Sequence, residues 1–258
     1  MPALEHAAPV PEPLTSPMRA WALAALDLVF PALCPVCQAT LGARRRDPLC
    51  GGCWDAIRRL GPPACERCGL PFMTPRRALA PAPLCGGCTQ EAPAWDWACA
   101  AAEYEGVARD ALHAFKFHGK RALARPLAGL LLEQWGPGLA AAGIEALVPV
   151  PLGRARERER GFNQAALVAE RLAGALGVPL RPRWLVRARA TQPQTDLGAA
   201  ERQANVRGAF AADTAAAGRH VALVDDVLTT GATAAECARM LRAAGAARVG
   251  VLTVARVL

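Results

Sequence analysis

The chain has 258 residues and is 53% hydrophobic, so its length and composition suit one or two domains with a buried core. Its net charge is +8 and unevenly spread: residues 1–99 carry 9 Lys+Arg against 8 Asp+Glu, and residues 100–258 carry 21 against 14. A field that attracts polyanions therefore belongs to the second part, and no apolar run reaches the ~20 residues of a transmembrane helix.

Residues 1–17 hold five prolines and no apolar periodicity, and are read as a disordered N-terminus. A helix is expected over 16–30, ending before Pro31. The apolar stretch 21–33 would pass for a signal-peptide core behind Arg19. It carries Asp27, however, and the cysteines just downstream make better sense reduced and metal-bound in the cytoplasm. An amphipathic helix packed on the next domain is the preferred reading.

Eight of the ten cysteines form four C-x-x-C pairs: Cys34/Cys37, Cys50/Cys53, Cys65/Cys68 and Cys85/Cys88. Each pair is a tight turn offering two sulfurs to one ion, and two pairs complete a tetrahedral S₄ set for structural Zn²⁺. Cys34, Cys37, Cys50 and Cys53 are assigned to one ion; Cys65, Cys68, Cys85 and Cys88 are assigned to the other. Spacing alone also allows an interleaved cross-brace. Four sulfurs leave no open coordination position, so the two zinc ions are structural. Cys99 and Cys237 fall outside the pattern and read as buried, inert thiols. The double ribbon and its preceding helix make a first domain, 18–95, and residues 96–258 make a second.

The second domain reads as alternating strands and helices. An edge strand is expected at 98–104 and helices at 107–117 and 122–135. A buried strand follows at 144–150, a helix at 162–176 capped by Asn163 and stopped by Gly177, and a strand at 180–186. Residues 187–208 are polar and aperiodic. A strand at 220–225, a helix at 232–244 and a last strand at 248–257 complete the chain. This order implies an α/β fold, a parallel sheet with helices on both faces, whose ligands bind beyond the carboxyl ends of the strands.

Residues 221–233 read Val-Ala-Leu-Val-Asp-Asp-Val-Leu-Thr-Thr-Gly-Ala-Thr. A buried strand carries Asp225 and Asp226 at its end, and a small hydroxyl-rich loop leads into a helix. The free N–H groups and dipole of that helix end favour an anion. Gly231 allows close approach of the backbone, and Thr229, Thr230 and Thr233 offer hydroxyl donors. The acids suit ribose hydroxyls or the water shell of Mg²⁺. Four arginines, among them Arg160, crowd a loop at 153–164 after the 148–152 strand end, where a pyrophosphate would need cations; Glu157 and Glu159 weaken that charge, and a solvated surface segment is the alternative. Gln194, Arg202, Asn205 and Arg207 give 191–207 the look of a mobile lid; an ordinary surface loop explains the segment equally well. The basic, aromatic run 115–121 could stack on bases; the preferred reading is a helix C-terminus whose cations complement the dipole. His113, His118 and His220 have no spacing partner and read as structural or exposed.

The stretch 221–233 resembles the phosphoribosyl-pyrophosphate (PRPP) signature of type I phosphoribosyltransferases. Together with the double ribbon, Lys-Phe-x-Gly, Val-Pro-Val-Pro, Arg-Gly-Phe-Asn-Gln and the Thr-x-x-Gln…Arg…Asn-Val segment, it makes residues 18–258 resemble the ComF (ComFC) family of bacterial competence proteins. That resemblance implies a type I phosphoribosyltransferase-like domain behind the double ribbon, and a cytoplasmic role in taking up single-stranded DNA, alone or with other competence proteins. It also implies PRPP with Mg²⁺ as ligand. The 5′-phosphate would lie on Thr229, Thr230, Gly231, Ala232 and Thr233, the ribose on Asp225 and Asp226, and the remainder near Pro151 and Leu152. Purine-salvage enzymes with this signature usually carry an acid where Thr229 stands, and its absence argues against base salvage. Two functions stay open: a phosphoribosyltransferase with an unnamed acceptor, in which Asp225, Asp226 and Arg160 are catalytic, and a non-catalytic nucleic-acid-binding protein regulated by PRPP. A glutamine-dependent amidotransferase is set aside, because its N-terminal cysteine half has no counterpart here.

Overall fold

The computed structural model describes residues 31–41, 48–72, 83–189 and 199–258. The readings for 1–17, 16–30 and Gln194, and for the side chain of Arg202, lie outside what is described. Short helices α1 (Gly51–Asp55) and α2 (Gly86–Gln90) each begin directly after a ribbon cysteine. The second part runs β1 (Trp97–Glu103), α3 (Gly106–Phe117), α4 (Ala124–Ala141), β2 (Ala146–Pro149), α5 (Arg154–Arg160) and α6 (Gln164–Leu176). It continues through β3 (Leu185–Arg187), α7 (Ala199–Val206), β4 (Phe210–Ala212), β5 (His220–Leu228), α8 (Ala232–Ala243) and β6 (Arg248–Arg256).

Strands β1, β6, β5 and β2 form, in that order, a parallel four-stranded sheet. Helices cover both faces, as the near-continuous apolar character of β5 and β6 requires. Helices α3, α4 and α6 pack on one face around Leu112, Phe115, Leu131, Val168 and Leu172. Helix α8 and the β3–β4 pair cover the other around Leu185, Phe210, Cys237 and Leu241. β1 is at the edge, as its sequence suggested, but that edge is covered: Arg59 bridges Ala102 antiparallel, and the N–H of Leu60 donates to the carbonyl of Ala101 at 2.7 Å. The ribbon segment thereby blunts an open strand edge. The first ribbon also joins the adjacent core through Cys34, Leu41, Cys53 and Ile57.

Three expectations need correction. Helix α4 continues through Pro137 to Ala141 rather than ending at residue 135, and it buries Leu139 beyond the proline. The strand expected at 180–186 does not join the main sheet. Only Leu180 bridges β2, at Leu147; Pro182 then offers no N–H to extend the ladder, and β3 pairs antiparallel with β4 instead. The arginine-rich segment after β2 is a helix, not a loop. Helical spacing turns Arg156 and Arg160, four residues apart, to the half-buried side and leaves Arg154 and Arg158 exposed.

Close packing also explains two aromatic residues at the sheet edge. The Nε1–H of Trp97 donates to Nε2 of His220 at 3.0 Å, which keeps that imidazole neutral and structural. A Cβ at Gly250 would lie 2.1 Å from the Trp97 ring. Gly250→Ala is expected to lower stability by about 2 kcal/mol through overpacking; an unchanged denaturant midpoint would contradict this packing account.

Candidate functional site

β5 carries Asp225 and Asp226 in succession, so the pleat sends their side chains to opposite faces of the sheet. On the α3 side, Asp226 is buried and forms an ion pair with Lys116 Nζ at 2.7 Å. Burial alone would lower the Lys116 pKa, but the charge of Asp226, helped by Asp225, holds it above its ordinary value. Lys116 therefore does not serve the dipole of α3, as its place in the sequence suggested; it reaches across to the acid doublet. This is the residue that sequence reasoning missed, and the Lys-Phe-x-Gly segment was its only trace.

Asp225 Oδ1 accepts the N–H of Asp226 at 2.8 Å. Burial first, and the Asp226 carboxylate second, push Asp225 up to about 8, against the opposing pull of Lys116. Three arginines share this neighbourhood. Arg160 stacks over Phe117 with its guanidinium 4.9 Å from the ring centre. Burial lowers its pKa, and the charges of Asp226 and Asp225 partly offset this. Arg187 on β3 stacks over Phe210 at 5.2 Å; burial and then the charge of Arg156 lower its pKa, and Asp225 is among the groups that raise it. Lys116, Arg156, Arg160 and Arg187 thus come from α3, α5 and β3 to converge around two acids at the carboxyl end of the sheet. Pro151 and Leu152 follow shortly after the end of β2. Asn163 anchors this strand end, donating to the carbonyl of Val150 at 3.0 Å while its Oδ1 accepts the N–H groups of Ala165 and Ala166 at the start of α6.

The turn from β5 into α8 occupies residues 229–231. Thr229 and Thr230 are exposed, and Thr230 Oγ1 accepts the N–H of Ala232 at 3.4 Å. Ala232 and Thr233 open α8, whose first-turn amides and dipole face the same end of the sheet. The fold itself also requires glycine at 231. Its φ is +77°, and a Cβ there would stand 2.8 Å from the Trp95 indole. Trp95 Nε1 in turn donates to the carbonyl of Arg67, between two ribbon cysteines, at 3.0 Å, and Arg256 Nη1 donates to the carbonyl of Cys68 at 2.6 Å. The second ribbon is therefore fastened to the turn that would bind the anion. Of the suggested lid, α7 and the residues after it are tied down: Arg189 Nη2 donates to the carbonyls of Asn205 and Arg207, and Glu236 Oε1 accepts the N–H of Gly208 at 2.7 Å.

The sulfurs of Cys34, Cys37, Cys50 and Cys53 lie within 4.8 Å of one another, and so do those of Cys65, Cys68, Cys85 and Cys88. This sequential grouping resolves the choice that spacing left open. The donor sets fit Zn²⁺. Burial raises the Cys34 thiol, but the N–H groups of Cys37, Cys50 and Val36 outweigh it and bring the thiol down to about 6; an equivalent balance brings Cys65 to about 7. Burial and then the neighbouring sulfurs push Cys53 and Cys88 up. Four thiolates so placed need a divalent cation to coexist. Cys99 and Cys237 are raised by burial, as inert thiols are.

Several known proteins are similar to this chain. A family model described as a double zinc ribbon domain matches residues 25–89. The chain is 35% identical to DNA utilization protein YhgH of Salmonella typhimurium, over 90% of this chain and 100% of that one. It is 31% identical to competence protein F of Haemophilus influenzae, over 86% of this chain and 96% of that one. Among solved structures, a glutamine phosphoribosylpyrophosphate amidotransferase from B. subtilis, complexed with ADP and GMP, aligns with a TM-score of 0.35 and 26% identity. That alignment covers 51% of this chain and 26% of the other. No helix among the described residues is long and apolar enough to cross a membrane.

Three outcomes test the site. Native mass spectrometry is expected to find two zinc ions per chain, and freshly purified protein without zinc would refute the metal assignment. Lys116→Met, which strands the Asp226 carboxylate, should destabilise the fold by about 3 kcal/mol; adding Asp226→Asn should recover part of that loss. For Asp225, the folded protein keeps a proton up to about pH 8 that the unfolded chain releases near 3.8. Stability contributed by this proton is therefore full at low pH and lost as pH rises from about 4 to 8. Asp225→Asn should flatten that decline and raise the melting temperature of the ligand-free protein at pH 8.5 by about 3 °C; a lowered melting temperature would contradict it.

Proposed function

The chain belongs to the ComF family, the family of competence protein F and DNA utilization protein YhgH, and from this premise we propose that it binds PRPP and serves the handling of single-stranded DNA in the cytoplasm. The observation that carries the PRPP reading is the placement of four cations and a helix N-terminus around an acid doublet at one end of a parallel sheet. A ligand with phosphate at both ends and hydroxyls between them matches this arrangement. The 5′-phosphate lies on residues 229–233, the ribose hydroxyls on Asp225, and the pyrophosphate against Arg156, Arg160 and Arg187 beyond Pro151 and Leu152. Among the described residues, Asp225 has no ion-pair partner, and it is the acid available to the water shell of Mg²⁺ carried by the pyrophosphate. Mg²⁺ supplies charge neutralisation on the leaving group.

As a phosphoribosyltransferase, the protein would break the bond between C1 and the pyrophosphate oxygen. The electron pair leaves with the pyrophosphate, and an acceptor closes on C1. The arginines stabilise the departing charge, and ionised Asp225 orients the ribose and faces the developing positive charge. A second reading draws on a specific observation: Asp226 is already neutralised by Lys116, and Asp225 holds its proton to about pH 8. Such a doublet is tuned to hold a sugar more than to stabilise a cation, which favours a PRPP-regulated binding protein.

Calorimetric titration of PRPP with Mg²⁺ decides the ligand. Wild type is expected to bind, and Asp225→Asn/Asp226→Asn is not. The affinity of wild type should rise with pH through about 8 as Asp225 ionises. Pyrophosphate release, with and without single-stranded DNA, separates the two readings; no release with any acceptor leaves the binding protein.

A further inference from the structure

The carboxyl end of α3 gathers planar side chains on the surface. Phe117, its last residue, is 52% exposed, whereas phenylalanine is ordinarily buried. Arg160 holds its guanidinium 4.9 Å from the centre of that ring, and His113 lies against the ring with centroids 4.7 Å apart. His118 meets His113 edge-on at 5.5 Å. Three rings and a guanidinium thus make one continuous row, and all three rings are exposed. The core beneath is closed by Leu112 and Phe115, both fully buried, so the row lies outside it.

The charge around the row limits what it can take. Between Asp110 and Glu133 the chain carries Lys116, Lys120, Arg121 and Arg125 and no acid. Lys116 is committed to Asp226, whereas Lys120 and Arg121 are exposed, and Arg121 is fixed beside the row by donating to the carbonyl of Gly161. Asp110 is paired with Arg109 at 3.3 Å, and Glu157 and Glu159 are outnumbered by the four arginines of α5. Exposed rings beside cations suit a polyanion whose flat faces are open. Bases in a duplex stack on one another and show only their edges. A single strand offers base faces to aromatic rings and guanidinium planes while its phosphates meet the flanking charge. An acidic peptide uses the cations and leaves the rings without a partner.

We propose that the row Arg160, Phe117, His113 and His118 is a stacking platform for the bases of a nucleic-acid single strand, with Lys120 and Arg121 meeting its phosphates. The proposal rests on the reading that the chain handles single-stranded DNA, and it gives that reading a surface. Arg160 also belongs to the proposed pyrophosphate seat, so a base on Phe117 lies at the lip of the phosphoribosyl site.

The test measures, by fluorescence anisotropy on the full-length, zinc-loaded chain, binding of three labelled probes of about 15 nucleotides. They are oligothymidylate, an abasic strand with the same phosphates, and a duplex. Wild type should bind oligothymidylate about tenfold or more tightly than either of the others. Phe117→Leu keeps an apolar side chain at an exposed position and removes the ring. It should bring oligothymidylate to within about threefold of the abasic strand, with abasic affinity and zinc content unchanged. Lys120→Ala should weaken both single strands alike and reduce the slope of log affinity against log salt by about 0.7. Should Phe117→Leu fail to fold, His118→Ala, beyond the end of α3, carries the test with an expected loss of about threefold for oligothymidylate alone. Equal wild-type affinity for oligothymidylate and the abasic strand overturns the platform. So does a base preference that survives Phe117→Leu, or a duplex bound as tightly as oligothymidylate. Binding of none of the three probes overturns the DNA-handling reading as well.

Discussion

The contact between the Trp95 indole and the backbone of Gly231 governs how this molecule is put together. The chain must pass from β5 into α8 across three residues, and it does so through a left-handed glycine whose open side is filled by an aromatic ring from the ribbon segment. That ring is held by a hydrogen bond to the third cysteine knuckle, Cys65–Cys68, and Arg256 adds another at the end of β6. A side chain at 231 would be strained twice, by φ and by the indole. The position of the turn, the seat of the ribbon and the outlook of the first amides of α8 are therefore one arrangement, not three.

Electrostatics at the sheet end follow from burial. Two carboxylates on successive residues of a half-dry strand end cannot both stay charged without cations. Lys116 neutralises one of them and the other retains its proton, while Arg156, Arg160 and Arg187 stand within the same field. The result is a strongly positive rim around acids that carry less charge than their number suggests. An anionic ligand meets little repulsion from the doublet, and its arrival favours loss of the Asp225 proton only where positive charge accompanies it.

The distribution of charge along the chain acquires a structural meaning. The surplus of arginine and lysine in the second part is drawn partly into this rim by α5 and β3. The ribbons, counted with thiolates and zinc, contribute negative charge on the opposite side of residues 229–231.

Much of the architecture could be read from the chain before any coordinates. Four cysteine pairs at tight spacing imply two S₄ sets, because each turn can face only one ion. Apolar runs separated by amphipathic segments imply a parallel sheet, because such strands must be covered on both faces. Asn163 and Gly177 mark the ends of α6 by capping chemistry. Other features are not local. The capture of Asp226 by Lys116 joins residues 110 positions apart and depends on how α3 lies across β5. The sorting of Arg156 and Arg160 from Arg154 and Arg158 required that 154–160 be helical, which its charge run concealed. The departure of β3 from the sheet turned on one proline among several. What the sequence determined by itself was the inventory of donors, acids and turns, set by short-range stereochemistry; which of them meet was decided only by tertiary packing, since burial and long-range charge pairing depend on distances that neighbouring residues along the chain do not encode.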